Sequence, residues 1–425
     1  MLSIFKDFLK SKEIRKKILF TLVILFIYRL GVAIPAPGIN DTVITLSANS
    51  LLTMMSLLGG GAIEQMSIFS LGVGPYITSS IIIQLLAMDI IPALSEMAKS
   101  GKKGRQQMDR ITRYLAVVLS LVQGYFIVQL LSSQYAIVDN PGFISYLYIS
   151  VIFTAGTMFL LWLADEITTK GIGNGVSVII FAGIVADMPN NLQLVYRTFV
   201  CDNATSSLGL PGFIIYLLMF IAIIVLVVVM QMAERRIPIQ QSTSHRLNRT
   251  KGDLNHLPLK INSASVIPVI FASALIQAPQ IIASWVNADA YNFLSNLADF
   301  TNPLFLLFYA FLIIVFTFFY TNLTVDPQKM ADDLGKQGQY IPGIRPGSET
   351  KDYVSKVLNR ITCLGALLLT FIALLPYIIS NMTGLSQRAA LGGTGIIIVV
   401  GVAMDTIKEL KGQLTKKQYK GFVGK

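Results

Sequence analysis

The side chains that most often perform chemistry are few and scattered in this chain. His245 and His256 share one hydrophilic loop with no cysteine beside them, which favours solvated loop residues over a metal site. Cys201 falls in a polar loop and Cys363 in a distant apolar run, so no disulfide is expected. No GxxxxGKS or GxxxxGKT phosphate loop, HExxH motif or GxSxG motif occurs. We therefore expect neither an enzyme nor a bound metal or cofactor.

Carboxylates that couple transport to proton flow would have to lie in the middle of apolar segments. Asp165, Glu166, Asp187 and Asp405 instead fall near the ends of such segments, where side chains can reach the membrane interface. Arg29 lies towards the far end of the first apolar segment. This pattern disfavours a proton-coupled carrier and favours a passive conduit that is driven by an external motor.

Uncharged polar residues interrupt the apolar segments more conspicuously. Thr78, Ser80 and Gln84 stand in the second segment, Gln123 in the third, and Asn262 where the seventh begins. Hydrogen bonds that hold membrane helices together, at about 0.6 kcal/mol each, would explain such residues. A functional seam between helices would explain them as well, and composition alone leaves both interpretations open.

The overall composition requires a membrane around these segments. The chain has 425 residues, of which 53% are hydrophobic and only 13% are charged, against about 25% charged in soluble domains. A soluble globule could not bury so much apolar surface. The net charge is +11, and the basic residues lie between the apolar segments. We therefore interpret them as residues that set the orientation in the membrane and dock partners rather than as residues that bind nucleic acid.

Ten apolar segments could cross a membrane, for which a helix needs about 20 residues. They lie at 18–35, 72–92, 113–133, 145–164, 173–188, 212–233, 264–286, 303–324, 357–379 and 391–409. The fifth is short and is interrupted by Gly173 and Gly175, so its ends are uncertain. No signal-peptide cleavage site follows the basic N-terminus, and the first segment is therefore predicted to be a membrane helix.

One further apolar segment, 56–70, is too short and too polar at Glu64 and Gln65 to cross a membrane. We predict a re-entrant half-helix there, which requires protein or a water-filled cavity around it. Gly59, Gly60 and Gly61 do not form a phosphate loop, because the lysine that follows the glycines of such a loop is missing. We interpret these glycines as a flexible hinge.

The distribution of basic residues sets the orientation. Lysine and arginine are concentrated in the N-terminus, the tail and three loops at 93–112, 234–263 and 325–356, whereas the opposite loops carry only Arg197 and Arg388. Both termini are therefore predicted to be cytoplasmic.

The ten segments divide into two halves of five with opposite orientation, which permits an inverted repeat around a central site. The predicted divisions are an N-terminus at 1–17, a first half at 18–188, an external loop at 189–211, a second half at 212–409 and a tail at 410–425.

Five strings in the chain resemble the SecY family of protein-export channels. They are IFSLGVGPYITSSIIIQLL (68–86), KGIGNGVSVIIFAGIV (170–185), LPLKINSASVIPVIFASALI (257–276), IPGIRPG (341–347) and GGTGIIIVVGVAMD (392–405). The resemblance covers almost the whole chain. It implies an all-α membrane protein with ten helices in two inverted halves around a pore. Unfolded secretory proteins would pass through this pore across the bacterial cytoplasmic membrane, and hydrophobic segments would leave it sideways into lipid.

The resemblance also implies roles for individual residues. The half-helix would be a plug, comprising Gly59, Gly60, Gly61, Glu64, Ser67 and Phe69. A mid-membrane ring of aliphatic side chains would comprise Val73, Ile77, Val176, Ile180, Ile270 and Ile398, although each is also an ordinary residue of an apolar helix. A narrow apolar ring would block ions by dewetting and still widen around a polypeptide.

The same resemblance places a lateral gate between the second and third segments on one side and the seventh and eighth on the other. Its residues would be Thr78, Ser80, Gln84, Gln123, Asn262 and Ala278. The loops at 234–263 and 325–356 would dock the SecA ATPase or the ribosome through Arg235, Arg236, Arg246, Arg249, Lys260 and Arg345. Further implied partners are the small subunits SecE and SecG, signal peptides and nascent chains, and membrane lipids.

Two other classes of protein remain possible on the residues alone. A secondary transporter for a small solute also uses broken helices and inverted repeats, but it usually carries mid-membrane carboxylates, which this chain lacks. A structural membrane scaffold would give the glycine-rich segment at 56–70 no purpose.

Overall fold

The computed structural model describes residues 11–39, 56, 59–88, 91–135, 137–138, 140–201, 209–241, 256–286, 302–383 and 387–423. Within these residues the chain forms twelve α-helices and four short strands. In chain order they are α1 Lys12–Val32, α2 Gly74–Leu86, α3 Pro92–Lys99, α4 Lys102–Tyr135, α5 Phe143–Lys170, α6 Gly175–Tyr196, α7 Gly209–Met232, β1 Glu234–Pro238, β2 Gln240–Gln241, β3 His256–Lys260, α8 Ile267–Val286, α9 Pro303–Thr324, α10 Pro327–Lys336, β4 Gln339–Tyr340, α11 Ser348–Thr383 and α12 Gln387–Val423.

Helices overlap all ten predicted segments, which confirms an all-α membrane protein. Among the described residues, the helices that are long and apolar enough to cross a membrane are α4, α5, α6, α7, α9 and α11. The apolar stretches of α2 and α8 are shorter, and α1 and α12 overlap the first and last predicted segments.

The fifth membrane helix is longer than its apolar segment at 173–188. Helix α6 continues through Pro189 to Tyr196 and then into one π-helical turn, Arg197–Cys201. The predicted segment ends at 188 because polar residues follow it. In the structure, the Nδ2 atoms of Asn190 and Asn191 donate to the Asp187 carboxylate at 3.3 and 3.2 Å. Because these side chains bond to one another, the helix can extend through them.

One large apolar cluster joins the two halves of the molecule. It includes Tyr28 of α1, Ile77 of α2, Ile180 of α6, Val269 of α8 and Ile398 of α12, all of which are buried. The outer faces of the long helices remain apolar and exposed, as lipid-facing surfaces must be in a membrane protein.

The two long basic loops form one structure rather than two. Strand β1 pairs antiparallel with β3, and β2 pairs with β4, which brings the loop at 234–263 onto the loop at 325–356. A small apolar cluster that contains Ile237, Leu259, Ile341 and Val354 packs between them. Sequence analysis predicted both loops but not this pairing.

Candidate functional site

Residues 59–73, which we call the re-entrant segment, fold as consecutive turns rather than as the predicted half-helix. Ser56 is helical, but Gly59–Val73 contains no helical turn in the structure. The backbone has positive φ at Gly60 (68°), Gly61 (81°), Met66 (44°) and Gly72 (56°). A right-handed helix needs negative φ throughout, so these positions prevent it.

Helix α1 and the residues after it hold the backbone of the re-entrant segment. Tyr28 Oη donates to the carbonyl of Gly59 at 3.2 Å, and Arg29 Nη1 donates to the carbonyl of Gly60 at 3.0 Å. Ile68 N donates to the carbonyl of Ile34 at 3.1 Å. The segment is therefore fixed by hydrogen bonds to its main chain, which do not depend on its own side chains.

Glycines in three helices allow the segment to approach closely. A Cβ added at Gly31 of α1 would lie 2.0 Å from the Phe69 ring, and one at Gly156 of α5 would lie 2.1 Å from the carbonyl oxygen of Ile68. A Cβ at Gly183 of α6 would lie 3.2 Å from the Gly60 Cα. A side chain at Gly156 would overlap the backbone of the segment, and one at Gly31 or Gly183 would require the Phe69 ring or the Gly60 backbone to shift. We call these three glycines the seat of the segment.

The remaining predicted plug residues lie within this seat. Phe69 stacks between Tyr28 and Phe159, with ring centroids 6.2 and 6.1 Å apart. Ser67 is fully buried, and its Oγ accepts from the backbone N–H of Phe69 at 3.3 Å. Glu64 accepts a hydrogen bond from Ser56 Oγ at 3.3 Å.

The six predicted ring residues all belong to the large apolar cluster or pack against it. Four of them are buried, and they belong to the end of the re-entrant segment, α2, α6 and α12. The other two are half-buried and belong to α6 and α8. The buried four are Val73, Ile77, Ile180 and Ile398, and the half-buried two are Val176 and Ile270. Phe69 of the re-entrant segment belongs to the same cluster. Both halves of the chain thus contribute to one apolar centre with the segment packed against it.

The predicted gate lies where α8 contacts α2 and α4. Thr78 Oγ1 donates to the carbonyl of Gly74 at 3.2 Å, and Gln84 Nε2 donates to Ser80 Oγ at 3.0 Å, so both bonds stay inside α2. The buried Gln84 Oε1 has no hydrogen-bond partner among the described residues. Gln123 is half-buried on α4.

The remaining gate residues lie at or in α8. Asn262 precedes the helix and donates from Nδ2 to the carbonyl of Ser265 at 2.8 Å, while its Oδ1 has no partner in the part of the chain that the structure describes. Ser265 has a positive φ of 55°, so this bond supports a strained turn before the helix. Ala278 belongs to α8, and its side chain lies outside the described residues.

The predicted docking residues lie on the paired loops. Arg235 and Lys260 are exposed on β1 and β3, and the Arg236 guanidinium contacts Glu234 at 2.9 Å. Arg345 is exposed in the turn before α11. Arg246 and Arg249 lie outside the described residues. In the part of the chain that is described, no three His, Cys, Asp or Glu side chains are close enough to hold a metal ion.

Sequence reasoning missed the groups that hold the re-entrant segment in place. Tyr28 was not singled out, Arg29 was considered only for ion coupling, and the seat glycines Gly31, Gly156 and Gly183 were not identified. A glycine inside an apolar helix does signal a close approach of another backbone. The sequence alone gives no indication of which backbone approaches.

Comparison with known proteins identifies relatives over the full chain. The family model described as SecY matches residues 67–407. The chain is 42% identical to "Protein translocase subunit SecY" of Bacillus licheniformis, with 100% of both chains covered, and 43% identical to that of Halalkalibacterium halodurans, with 97% of both covered.

Solved structures show the same fold at lower sequence identity. The structure titled "The structure of a protein conducting channel" is 18% identical with a TM-score of 0.69, covering 94% of this chain and 93% of that one. The structure titled "Sec61 in the Canine ribosome-channel complex from the endoplasmic reticulum" is also 18% identical, with a TM-score of 0.67 and the same coverage.

Proposed function

Because this chain belongs to the SecY family and is a subunit of a protein-conducting channel, we propose that unfolded secretory proteins pass through the ring of six aliphatic residues. The observation that carries this proposal is the meeting of Val73, Ile77, Ile180 and Ile398 in one buried apolar cluster drawn from both halves. Aliphatic side chains exclude ions by dewetting, and they neither hydrogen-bond nor pair with a passing polypeptide. The ring can therefore part around a chain without retaining it.

The re-entrant segment is the plug of this channel. It packs against the ring cluster through Phe69 and Val73, and it is held by hydrogen bonds from Tyr28 and Arg29. When the segment leaves, it breaks these two bonds and the stacking of Phe69 on Tyr28, and it can restore all three contacts on its return. Closing the ring and seating the plug would together block ions.

The contact of α8 with α2 and α4 is the lateral gate. A signal segment of about ten leucine-like residues, at roughly −0.5 kcal/mol each, gains about 5 kcal/mol on entering lipid. The described hydrogen bonds of the α2 polar side chains stay inside α2 or reach α4, so parting α2 from α8 breaks none of them. The gain from lipid can therefore open the seam.

The paired loops dock the energy source. SecA or a translating ribosome would bind there and supply the energy, and the chain itself would hydrolyse no ATP. The ribosome-bound Sec61 channel has the same fold, which supports a ribosome as partner. SecE and SecG would complete the complex in the bacterial cytoplasmic membrane, with both termini on the cytoplasmic side.

Arg345 tests the docking surface. Arg345→Glu should strongly reduce SecA-driven translocation in reconstituted vesicles, because an exposed guanidinium that binds acidic groups would become repulsive. Arg197→Glu, an exposed charge reversal in the π-helical turn after α6 and outside the paired loops, serves as the control. Normal translocation by the Arg345 variant would remove this residue from the docking surface.

Crosslinking tests the translocation path. With both native cysteines replaced by serine, single cysteines at Ile77 and Ile270 should crosslink to a secretory chain stalled in transit. A cysteine at Val225, which is exposed on the outer face of α7, should not. A stalled chain that reaches Val225 as readily as the ring positions would contradict the proposed path.

A further inference from the structure

Hydrogen bonds converge at the turn that precedes α8. Ser265 Oγ donates to the carboxylate of Asp405 on α12 at 3.0 Å and accepts from Nε2 of the buried Gln231 on α7 at 3.3 Å. Asn262 Nδ2 donates to the carbonyl of Ser265 at 2.8 Å, and Lys408 Nζ donates to the carbonyl of Gln231 at 2.9 Å. We call these five residues the latch, because they tie the start of α8 to both α7 and α12.

Close packing supports the same junction. Val266, the residue after Ser265, is buried, and a Cβ added at Gly401 of α12 would lie 2.5 Å from its Cγ1 atom. Gly401 precedes Asp405 by about one helical turn, so the packing and the hydrogen bond hold neighbouring turns of α12. The start of α8 therefore cannot move away from α12 unless Ser265 separates from Asp405.

Ser265 is held in an unfavourable backbone conformation. Its φ is 55°, a value that residues other than glycine rarely adopt and that persists only where surrounding contacts enforce it. The enforcing contacts here are the hydrogen bonds of the latch. When these bonds break, Ser265 can relax to a negative φ, and the relaxation offsets part of the loss. The turn can therefore switch readily between a held and a relaxed conformation.

The latch lies between the paired loops and the apolar ring. Strand β1 begins three residues after Gln231, and β3 ends two residues before Asn262. On the other side, Asp405 follows the ring residue Ile398 by two helical turns, and the ring residue Ile270 lies in the first turn of α8. A movement of the paired loops therefore reaches the latch before it reaches the ring.

We propose that the latch holds the start of α8 in its closed position and must release before a signal segment can part α8 from α2. This inference rests on the proposed function, which assigns the lateral gate to the contact of α8 with α2 and α4. The latch adds directed bonds to the apolar packing of that seam. A partner that moves the paired loops pulls on Gln231 and Asn262, the latch residues next to the strands, and so separates Ser265 from Asp405.

Substitutions that weaken the latch should accelerate signal insertion. Asp405→Ala removes the acceptor of Ser265, so a weakly hydrophobic signal segment should insert into reconstituted vesicles about tenfold faster, as expected for the loss of a hydrogen bond to a charged group. Asp405→Asn keeps an acceptor oxygen and should accelerate insertion only about threefold, because a neutral hydrogen bond is weaker. A damaged channel would insert the segment more slowly, so faster insertion identifies release of the latch.

Ser263→Ala is the matched control for these substitutions. Ser263 belongs to the same turn, but its Oγ donates to the nearby carbonyl of Lys260 at 3.1 Å and does not bond to α12. The insertion rate should therefore stay at the level of the unsubstituted channel. Resting ion leakage should stay unchanged in Asp405→Ala and Asp405→Asn as well, because neither touches the seat of the plug.

A reversible crosslink tests whether the latch must release. In a chain whose native cysteines are replaced by serine, Ser265→Cys and Asp405→Cys place two thiols where the native side chains are in contact. Oxidation should stop signal insertion, and reduction should restore it. An oxidised channel that inserts signals as fast as the reduced one, or slower insertion by Asp405→Ala, would overturn the latch. The translocation path would still stand if cysteines at Ile77 and Ile270 crosslinked to a stalled chain.

Discussion

The re-entrant segment and the seam between α2 and α8 both border the apolar ring, but different forces hold them. Tyr28 and Arg29 bond to the segment's carbonyls, and Gly31, Gly156 and Gly183 admit it to backbone contact. At the seam, the described hydrogen bonds of α2 remain within α2 or reach α4. The plug is thus held by close fit and directed bonds, and the seam by apolar packing.

This difference suits two separate tasks. Directed bonds and a tight seat favour one position of the plug over all others, as a seal requires. Among the described residues, no hydrogen bond of the α2 polar side chains crosses this seam. Apolar packing then favours the closed state through the area it buries, so a hydrophobic signal segment can replace one side of it. Substitutions in the seat of the plug should therefore change ion leakage, whereas substitutions in the seam should change the insertion of signal segments.

Breaking the seat should have the largest effect. Gly156→Val places a side chain on the carbonyl of Ile68 and would displace the re-entrant segment. Overpacking of this kind costs about 1–3 kcal/mol, so ion leakage through reconstituted resting channels should rise roughly fivefold to 150-fold.

Gly335→Val is the matched control for the seat. A Cβ at this α10 glycine meets nothing within 4 Å, so leakage should stay at the level of the unsubstituted channel. A folded Gly156→Val channel that remained tight to ions would show that the seat does not seal the pore.

Strengthening the seam should have an intermediate effect. Gln84→Leu removes the buried Oε1 atom, which no described residue bonds; such a group costs about 1–3 kcal/mol when left unpaired. Insertion of a weakly hydrophobic signal segment should become about tenfold slower, because the closed seam is more stable. Signal processing in reconstituted vesicles measures this rate.

Gln106→Leu, at an exposed position on α4, should leave signal insertion unchanged. If Gln84→Leu accelerated insertion instead, polarity at this position would be needed for closure, and the contrast between seam and plug would be lost.

Removing one bond to the plug should have the smallest effect. Tyr28→Phe deletes the hydrogen bond to the carbonyl of Gly59 and leaves the ring stacked on Phe69. A net loss of about 1 kcal/mol should raise resting leakage about fivefold. Tyr114→Phe, on the exposed face of α4, should leave the resting ion leakage unchanged. Equal leakage in both variants would argue against a role for this bond.

The six predicted ring residues all sit inside recognisable strings, whereas the predicted gate residues Gln123 and Ala278 lie outside them. Ile77 and Gln84 belong to one such string, and Ile398 to another. The predicted half-helix is wrong over residues 59–70, since an apolar stretch with glycines does not reveal that Gly60, Gly61 and Met66 adopt positive φ. Sequence reasoning also ended the fifth membrane helix too early, because Asp187 and the following asparagines look like a loop until they bond to one another.

By itself, the sequence determined the membrane class, the positions of the ten helices and which residues could line an apolar centre. Those properties depend on the hydrophobicity of neighbouring residues, and hydrophobicity can be read along a chain. Only the tertiary structure decided what holds the plug and what joins the two basic loops. Gly156 contacts Ile68, and Gln240 pairs with Tyr340, through backbone approaches between residues far apart in sequence. Such approaches depend on how whole helices pack, which no local pattern records.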